Sequence, residues 1–175
     1  DVPPTGAEVA NILAADSAIT HVAAVHCETT SGILNPLEDI AAATADAGRA
    51  LIIDAMSTFG ALSIEAGEVR FAALTASANK CLEGVPGVGF AIIETSALAA
   101  AEGNAPSLSL DLHDQWRVME NTGQWRFTPP THVVAALDQA LAEHQAEGGI
   151  EARFARYSRN CRVLVDGLRH IGFET

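Results

Sequence analysis

Lys80 and Asp54 are the two side chains whose types and placement point to chemistry. Lys80 lies in Ser77-Ala78-Asn79-Lys80-Cys81-Leu82-Glu83-Gly84-Val85-Pro86-Gly87, in a chain poor in lysine. A protonated amine is a poor nucleophile, so a lysine used for chemistry must be desolvated or set near positive charge, and must face a carbonyl with which it can form an imine. The glycines and proline that follow let backbone approach a flat ring with no Cβ in the way. Asp54 closes the apolar run Ala50-Leu51-Ile52-Ile53. That run predicts a buried strand carrying a carboxylate to its C-terminal tip, the usual ligand edge of an open α/β sheet. Together the pair suits pyridoxal phosphate, whose aldehyde takes a lysine and whose pyridine nitrogen needs an acidic partner to stay protonated and act as an electron sink. Taken singly, each has an ordinary alternative: a solvated surface charge for the lysine, a turn cap for the aspartate. The interval between them is long enough for one strand-to-strand connection, so the elements decide whether the two meet.

Those elements alternate. Thr5-Gly6-Ala7-Glu8 before Val9, Ile12 and Leu13 is a capping-box start to a helix, and Ile19–His26 reads as a strand. Asn35-Pro36-Leu37-Glu38 opens a second helix with proline at its first position, lined by Leu37, Ile40, Ala41, Thr44 and Ala47 and ended by Gly48. Strands are expected at Leu51–Asp54, Ala72–Thr75 and Val88–Ile93. Residues 100–130 lack periodicity and read as a long irregular connection that contributes to a site or an interface. Pro129-Pro130 starts a helix carrying Val133, Leu137, Ala140 and Leu141, which Gly148-Gly149 breaks. Beyond it Ile150, Phe154, Tyr157, Cys161, Leu164, Leu168 and Ile171 advance by steps of four and three, a core-facing stripe of about six turns. Phe173-Glu174-Thr175 is expected to open another strand. The α-to-β order favours an α/β fold with a parallel or mixed sheet flanked by helices.

Composition narrows the partners. A chain of 175 residues, 49% hydrophobic, holds a core for one ordinary domain. The formal net charge of −12 and the lack of a Lys/Arg cluster argue against nucleic acid or an anionic membrane surface. Cys27, Cys81 and Cys161 form no paired framework, which fits a reducing, cytoplasmic setting. The first residues lack a secretory pattern, and no segment reaches the length of a membrane span.

Several separated stretches carry a resemblance: His26-Cys27-Glu28-Thr29-Thr30-Ser31-Gly32, Asp54-Ala55-Met56-Ser57, Ser77-Ala78-Asn79-Lys80-Cys81, Ser107-Leu108-Ser109-Leu110-Asp111-Leu112, Asp114-Gln115-Trp116-Arg117 and Gly123-Gln124-Trp125-Arg126-Phe127-Thr128-Pro129-Pro130. In this order, over nearly the whole chain, they resemble the 2-aminoethylphosphonate:pyruvate transaminases, within the class V, fold-type-I aminotransferases. The resemblance implies a large domain of that fold, and a reaction in which the amino donor 2-aminoethylphosphonate and pyruvate give phosphonoacetaldehyde and alanine. Lys80 matches the lysine that holds pyridoxal phosphate covalently, and Asp54 the aspartate on the pyridine nitrogen. Thr29 matches a hydroxyl at the ring oxygen, Ser77 and Asn79 match positions near the phosphate, and Thr128 matches a threonine that reaches the phosphate in a partner subunit. A homodimer with a shared active site follows. It further implies that residues 1–147 are the central part of the cofactor-binding domain and 148–175 a connecting helix and the start of a small domain. The glycine-rich phosphate loop, the ring-stacking aromatic and the substrate-binding arginine of relatives are not found here, so this piece alone is expected to be inactive. The alternatives are a sister class V enzyme using alanine or serine with glyoxylate or pyruvate, and a non-catalytic α/β binding domain.

The remaining candidates have bland assignments. Thr29, Ser77 and Asn79 could be turn residues, Asn79 holding its own loop through a backbone hydrogen bond. His26, Cys27, Glu28 and Cys81 include metal-ligand types, but neighbours on a strand face opposite ways and no HxH, CxxC or HExxH spacing gathers them, so no metal is expected. Cys81 reads as a small packed thiol, and Trp116 and Trp125 as anchors of the long connection.

Overall fold

The computed structural model describes residues 2–174. Its first helix, α1 (Gly6–Ala15), begins as the sequence predicts: the Thr5 hydroxyl accepts the Glu8 N–H, and the Glu8 carboxylate accepts the Thr5 N–H. Strand β1 (His21–Val25) follows, then α2 (Leu37–Asp46), β2 (Ala50–Asp54), β3 (Ala73–Ser77) and β4 (Gly89–Ile93). The sheet runs β1-β2-β3-β4; β1, β2 and β3 are parallel, and β4 is antiparallel to β3. Register pairs Val25 with Asp54 and Asp54 with Thr75, which aligns the C-terminal tips of the three parallel strands.

The core lies on one face of this sheet. Leu37, Ile40 and Ala41 of α2 pack on Leu51, Ile53, Leu74 and Ala76, with Phe59 set edge-on to Phe90 at a centroid distance of 5.2 Å. Burying each large aliphatic side chain there contributes about 1.5–3 kcal/mol. Strand β2 is therefore not buried on both sides as the sequence suggests. Ile53 is fully buried, whereas Ile52 remains 36% exposed on the opposite face, which this chain only partly covers.

The second half is α3 (Thr95–Ala100), α4 (Leu112–Thr122), α5 (Thr131–Glu147) and α6 (Gly149–His170). The stretch read as irregular thus contains a helix. Asp111 caps α4 by accepting the Asp114 N–H, and Gly123 ends it at φ +68°; its sparse apolar residues hid the period. Pro36 sits at the N-cap of α2 rather than inside the helix, and the Asn35 side chain before it donates to the Val25 carbonyl. The stripe on α6 is helical as expected but not core-facing: Phe154, Leu164 and Ile171 are exposed, with none of the described residues covering them. Phe173 and Glu174 form no strand, and Thr175 lies outside the described residues.

Candidate functional site

The site is assembled by three loops that leave the aligned tips of β1, β2 and β3. Asp54, half-buried, ends β2; its Oδ1 accepts the Met56 N–H at 2.9 Å, which turns the chain sharply and leaves Oδ2 without a protein donor among the described residues. Two struts fix this tip in the sheet: the His26 N–H donates to the Asp54 carbonyl at 2.8 Å, and the Ala55 N–H to the Thr75 carbonyl at 2.9 Å. Behind it, buried His26 Nδ1 meets the Thr58 hydroxyl at 3.0 Å. Burial lowers the His26 pKa, with Glu38 pulling weakly the other way.

Thr29, on the loop after β1, is tied to this tip through a residue that the sequence did not single out. Its Oγ1 lies 2.5 Å from the Ser57 hydroxyl. Ser57 also accepts, through its carbonyl, the Cys81 thiol at 3.3 Å. One residue therefore links the loops carrying Thr29, Asp54 and Lys80. Cys81 is buried and its pKa is raised by that burial, the packed thiol expected of it.

Ser77 is the last residue of β3, and Asn79 and Lys80 follow on an exposed turn. The turn is closed by hydrogen bonds from Gly84 N–H to the Ala78 carbonyl (2.8 Å), Glu83 N–H to the Lys80 carbonyl (2.9 Å) and Ala78 N–H to the Val88 carbonyl. Gly84 is required: a Cβ there would stand 2.9 Å from the Ala78 carbonyl oxygen. The Lys80 amine and the Asn79 side chain make no hydrogen bond or ion pair among the described residues, so Asn79 does not hold its loop as a simple turn residue would. Lys80 is also the only lysine in the sequence. Thr128 sits apart, exposed on the loop between α4 and α5, with no hydrogen bond to the sheet edge among the described residues.

An ionic network, unforeseen from sequence, grips the lysine turn from the far side. Arg153 of α6 is 2% exposed; it donates Nε to Glu147 at 2.6 Å and Nη1 to the Cys81 carbonyl. Arg156 donates Nε to Glu147 at 2.6 Å and Nη2 to both Glu83 oxygens at 2.9 and 3.0 Å, and the Tyr157 hydroxyl donates to Glu83 at 2.7 Å. The hydrogen bonds from Arg156 and then Arg153 hold Glu147 down to about 2. Burial and the Glu83 carboxylate push Tyr157 up to about 12. The available signal was a row of arginines at positions 153, 156, 159 and 162, which the expectation of no Lys/Arg cluster passed over in a chain of strongly negative charge.

His26, Cys27, Glu28 and Cys81 do not gather as ligands. Among the described residues Asp111, His113 and Asp114 bring three ligand atoms within 4.8 Å. Asp111 is occupied as the α4 cap, however, and Asp114 pairs with Arg126 at 2.9 Å. Arg126 also donates to the Leu108 carbonyl, so it anchors the connection where Trp125, exposed, does not; Trp116 packs against His113 and Arg117.

The donor set fits pyridoxal phosphate: an amine on the turn after β3 and a carboxylate at the tip of β2, the first with no partner and the second with one free oxygen among the described residues, stand at the same sheet edge. Such a sheet, flanked by helices and bearing this pair, has the architecture of the fold-type-I transferase large domain, here incomplete. The family model for aminotransferase class V matches residues 6–174, and the chain belongs to that family. It is 61% identical over all 175 residues to the 2-aminoethylphosphonate–pyruvate transaminase of Pseudomonas putida, and 58% identical over 174 residues to that of Rhizobium meliloti. It covers 48% and 45% of those proteins, so the chain spans about half the length of the curated relatives it matches. Among solved structures, pyridoxamine-pyruvate aminotransferase from Mesorhizobium loti superposes with a TM-score of 0.85 at 29% identity, covering 97% of this chain and 44% of that one. Alanine–glyoxylate aminotransferase from Nostoc sp. superposes at 0.82 with 20% identity, covering 96% and 45%, and shares the fold.

Proposed function

We propose that this chain supplies the lysine and aspartate of a pyridoxal-phosphate-dependent transaminase that moves the amino group of 2-aminoethylphosphonate to pyruvate, giving phosphonoacetaldehyde and alanine. The observation that carries the reading is the placement of Asp54 at the tip of β2 and of Lys80 on the turn that follows β3, its parallel neighbour, at one C-terminal sheet edge. When bound, the cofactor supplies an aldehyde and a cationic ring that accepts the electron pair of a broken C–H bond. Lys80 Nζ is the group that would hold the cofactor's aldehyde and, as a free amine, would move the proton at the reacting carbon. Asp54 would keep the pyridine nitrogen protonated through the oxygen left free, while the Met56 N–H holds the other carboxylate oxygen in place. Thr29, braced by Ser57, offers its hydroxyl to the ring oxygen, and Ser77 and Asn79 serve the phosphate end.

Thr128, which stands off this edge on an exposed loop, reaches the phosphate in a second subunit, so the assembly is a homodimer with shared sites. A cytoplasmic setting belongs to the same reading and draws on the three free cysteines. Residues 1–147 are the central part of the cofactor-binding domain, and α6 is the connector to a small domain. The piece alone is expected to be inactive. A second reading is a sister class V enzyme acting on alanine or serine with glyoxylate or pyruvate, since the fold is shared with alanine–glyoxylate aminotransferase.

The test is borohydride reduction of the full-length protein with pyridoxal phosphate, followed by peptide mapping, for wild type and Lys80→Ala. Labelling and yellow colour confined to Lys80 and lost in the variant are expected; labelling that survives the substitution removes the lysine from its role. Amino-donor assays on the same protein separate 2-aminoethylphosphonate from alanine and serine.

A further inference from the structure

The clamp on the lysine turn goes beyond this reading. Among the described residues Lys80 has no side-chain partner of its own, so the position of its amine is set by the backbone that carries it. That backbone is held at Cys81 from two sides: the thiol donates to Ser57, on the loop after β2, and the carbonyl receives Arg153, on α6. Two residues further on, Glu83 adopts a positive φ of 60° without being glycine, a conformation that costs about 1 kcal/mol or more and persists only where its surroundings over-determine it. Its carboxylate is what over-determines it, taken by Arg156 in two contacts and by Tyr157.

Glu147 binds both arginines and sets their spacing. A fully buried arginine is a poor source of net stability, because desolvation offsets its pairing, so burying one between Glu147, Glu83 and the Cys81 carbonyl makes best sense as a way to fix geometry. We propose that Arg153, with Glu147, Arg156 and Glu83, is a positioning device for Lys80. It locks the peptide after the lysine so that the amine is presented at a fixed height above the sheet edge. The inference rests on the proposed role of Lys80, but one of its consequences, the rigidity of the turn, does not.

The experiment uses the full-length protein as wild type, Arg153→Met and Arg153→Lys. Without cofactor, hydrogen exchange followed by mass spectrometry should show residues 78–84 exchanging at least tenfold faster in Arg153→Met, with β2 unchanged. With pyridoxal phosphate, the pH at which the visible absorbance of the lysine-bound cofactor changes should move by half a pH unit or more, and Arg153→Lys should recover part of that shift. A variant that is merely less stable, with turn exchange and pH profile like wild type, overturns the proposal. If Arg153→Met does not fold, Arg156→Met, which removes the half-exposed limb of the clamp, should give the same two effects at smaller size; a folded Arg156→Met indistinguishable from wild type overturns it equally. Wild type that takes no cofactor on Lys80 refutes the proposed function instead, and the exchange result then still decides whether Arg153 holds the turn.

Discussion

Replacing Gly84 by alanine tests whether the closure of the lysine turn determines the reactivity of its amine. A Cβ at position 84 would lie 2.9 Å from the Ala78 carbonyl oxygen, 3.4 Å from the Ala78 Cβ and 3.5 Å from the Ala78 carbonyl carbon. The first contact is closer than real Cβ atoms tolerate, and the atom it meets is backbone that already accepts the Gly84 N–H. Relief therefore requires the two sides of the turn to part, which weakens that hydrogen bond; overpacking of this kind costs about 1–3 kcal/mol. Gly67→Ala is the control, because a Cβ there meets nothing within 4 Å and the residue needs no left-handed backbone; it should be neutral, or stabilising by about 0.4–1 kcal/mol through the unfolded chain. Urea denaturation of both variants, and the rate of borohydride-trapped labelling of Lys80, are the measurements. Gly84→Ala should lose stability and label several-fold more slowly, while Gly67→Ala should match wild type in labelling. Equal stability and labelling in the two variants would refute the argument that the tight approach of Gly84 to Ala78 shapes the site.

Two further outcomes follow from the supports around the site. Buried His26 has a pKa below its ordinary value near 6.5, so the neutral form is favoured on folding. The stability this represents is complete above the unfolded value and is lost as pH falls from about 6.5 toward the lowered folded value; the slope of urea midpoint against pH in that window should flatten in His26→Asn, and an identical slope in both proteins would remove His26 as its source. Ile53→Ala should cost about 2–5 kcal/mol by urea denaturation, since Ile53 is fully buried beneath the Asp54 tip. Ile52→Ala, on the partly exposed face of this chain, should cost markedly less, and equal losses would contradict the one-sided core.

Legibility differed by the kind of signal. Capping at Thr5 and Glu8, the β-branched runs and the glycine stops were local, and they placed β1 to β4, α1, α2, α5 and α6 within a few residues. Lys80 and Asp54 stood out because an unusual residue type met an unusual context. Helix α4 was hidden because few of its positions are apolar, although its Asp111 cap and Gly123 stop were present. The α6 stripe was legible as a helix but not as buried: amphipathic spacing tells which face seeks a partner, not whether this chain provides one.

What stayed illegible was the second tier of the site, and the reason is physical. Ser57 bonds to Thr29 across 28 positions, Arg153 reaches Cys81 across 72, and Tyr157 reaches Glu83 across 74. None of these pairs has a periodic or local signature, because side-chain hydrogen bonds between distant loops are set by the fold rather than by neighbours in sequence. Yet these contacts bear on the reading that the local signals suggested. A lone amine and a half-buried carboxylate on two flexible loops would be an accident of spacing. The same two groups on loops joined through Ser57 and clamped by a buried arginine have restricted positions, and restricted positions are what a reaction requiring an amine and a carboxylate at opposite ends of one ring demands.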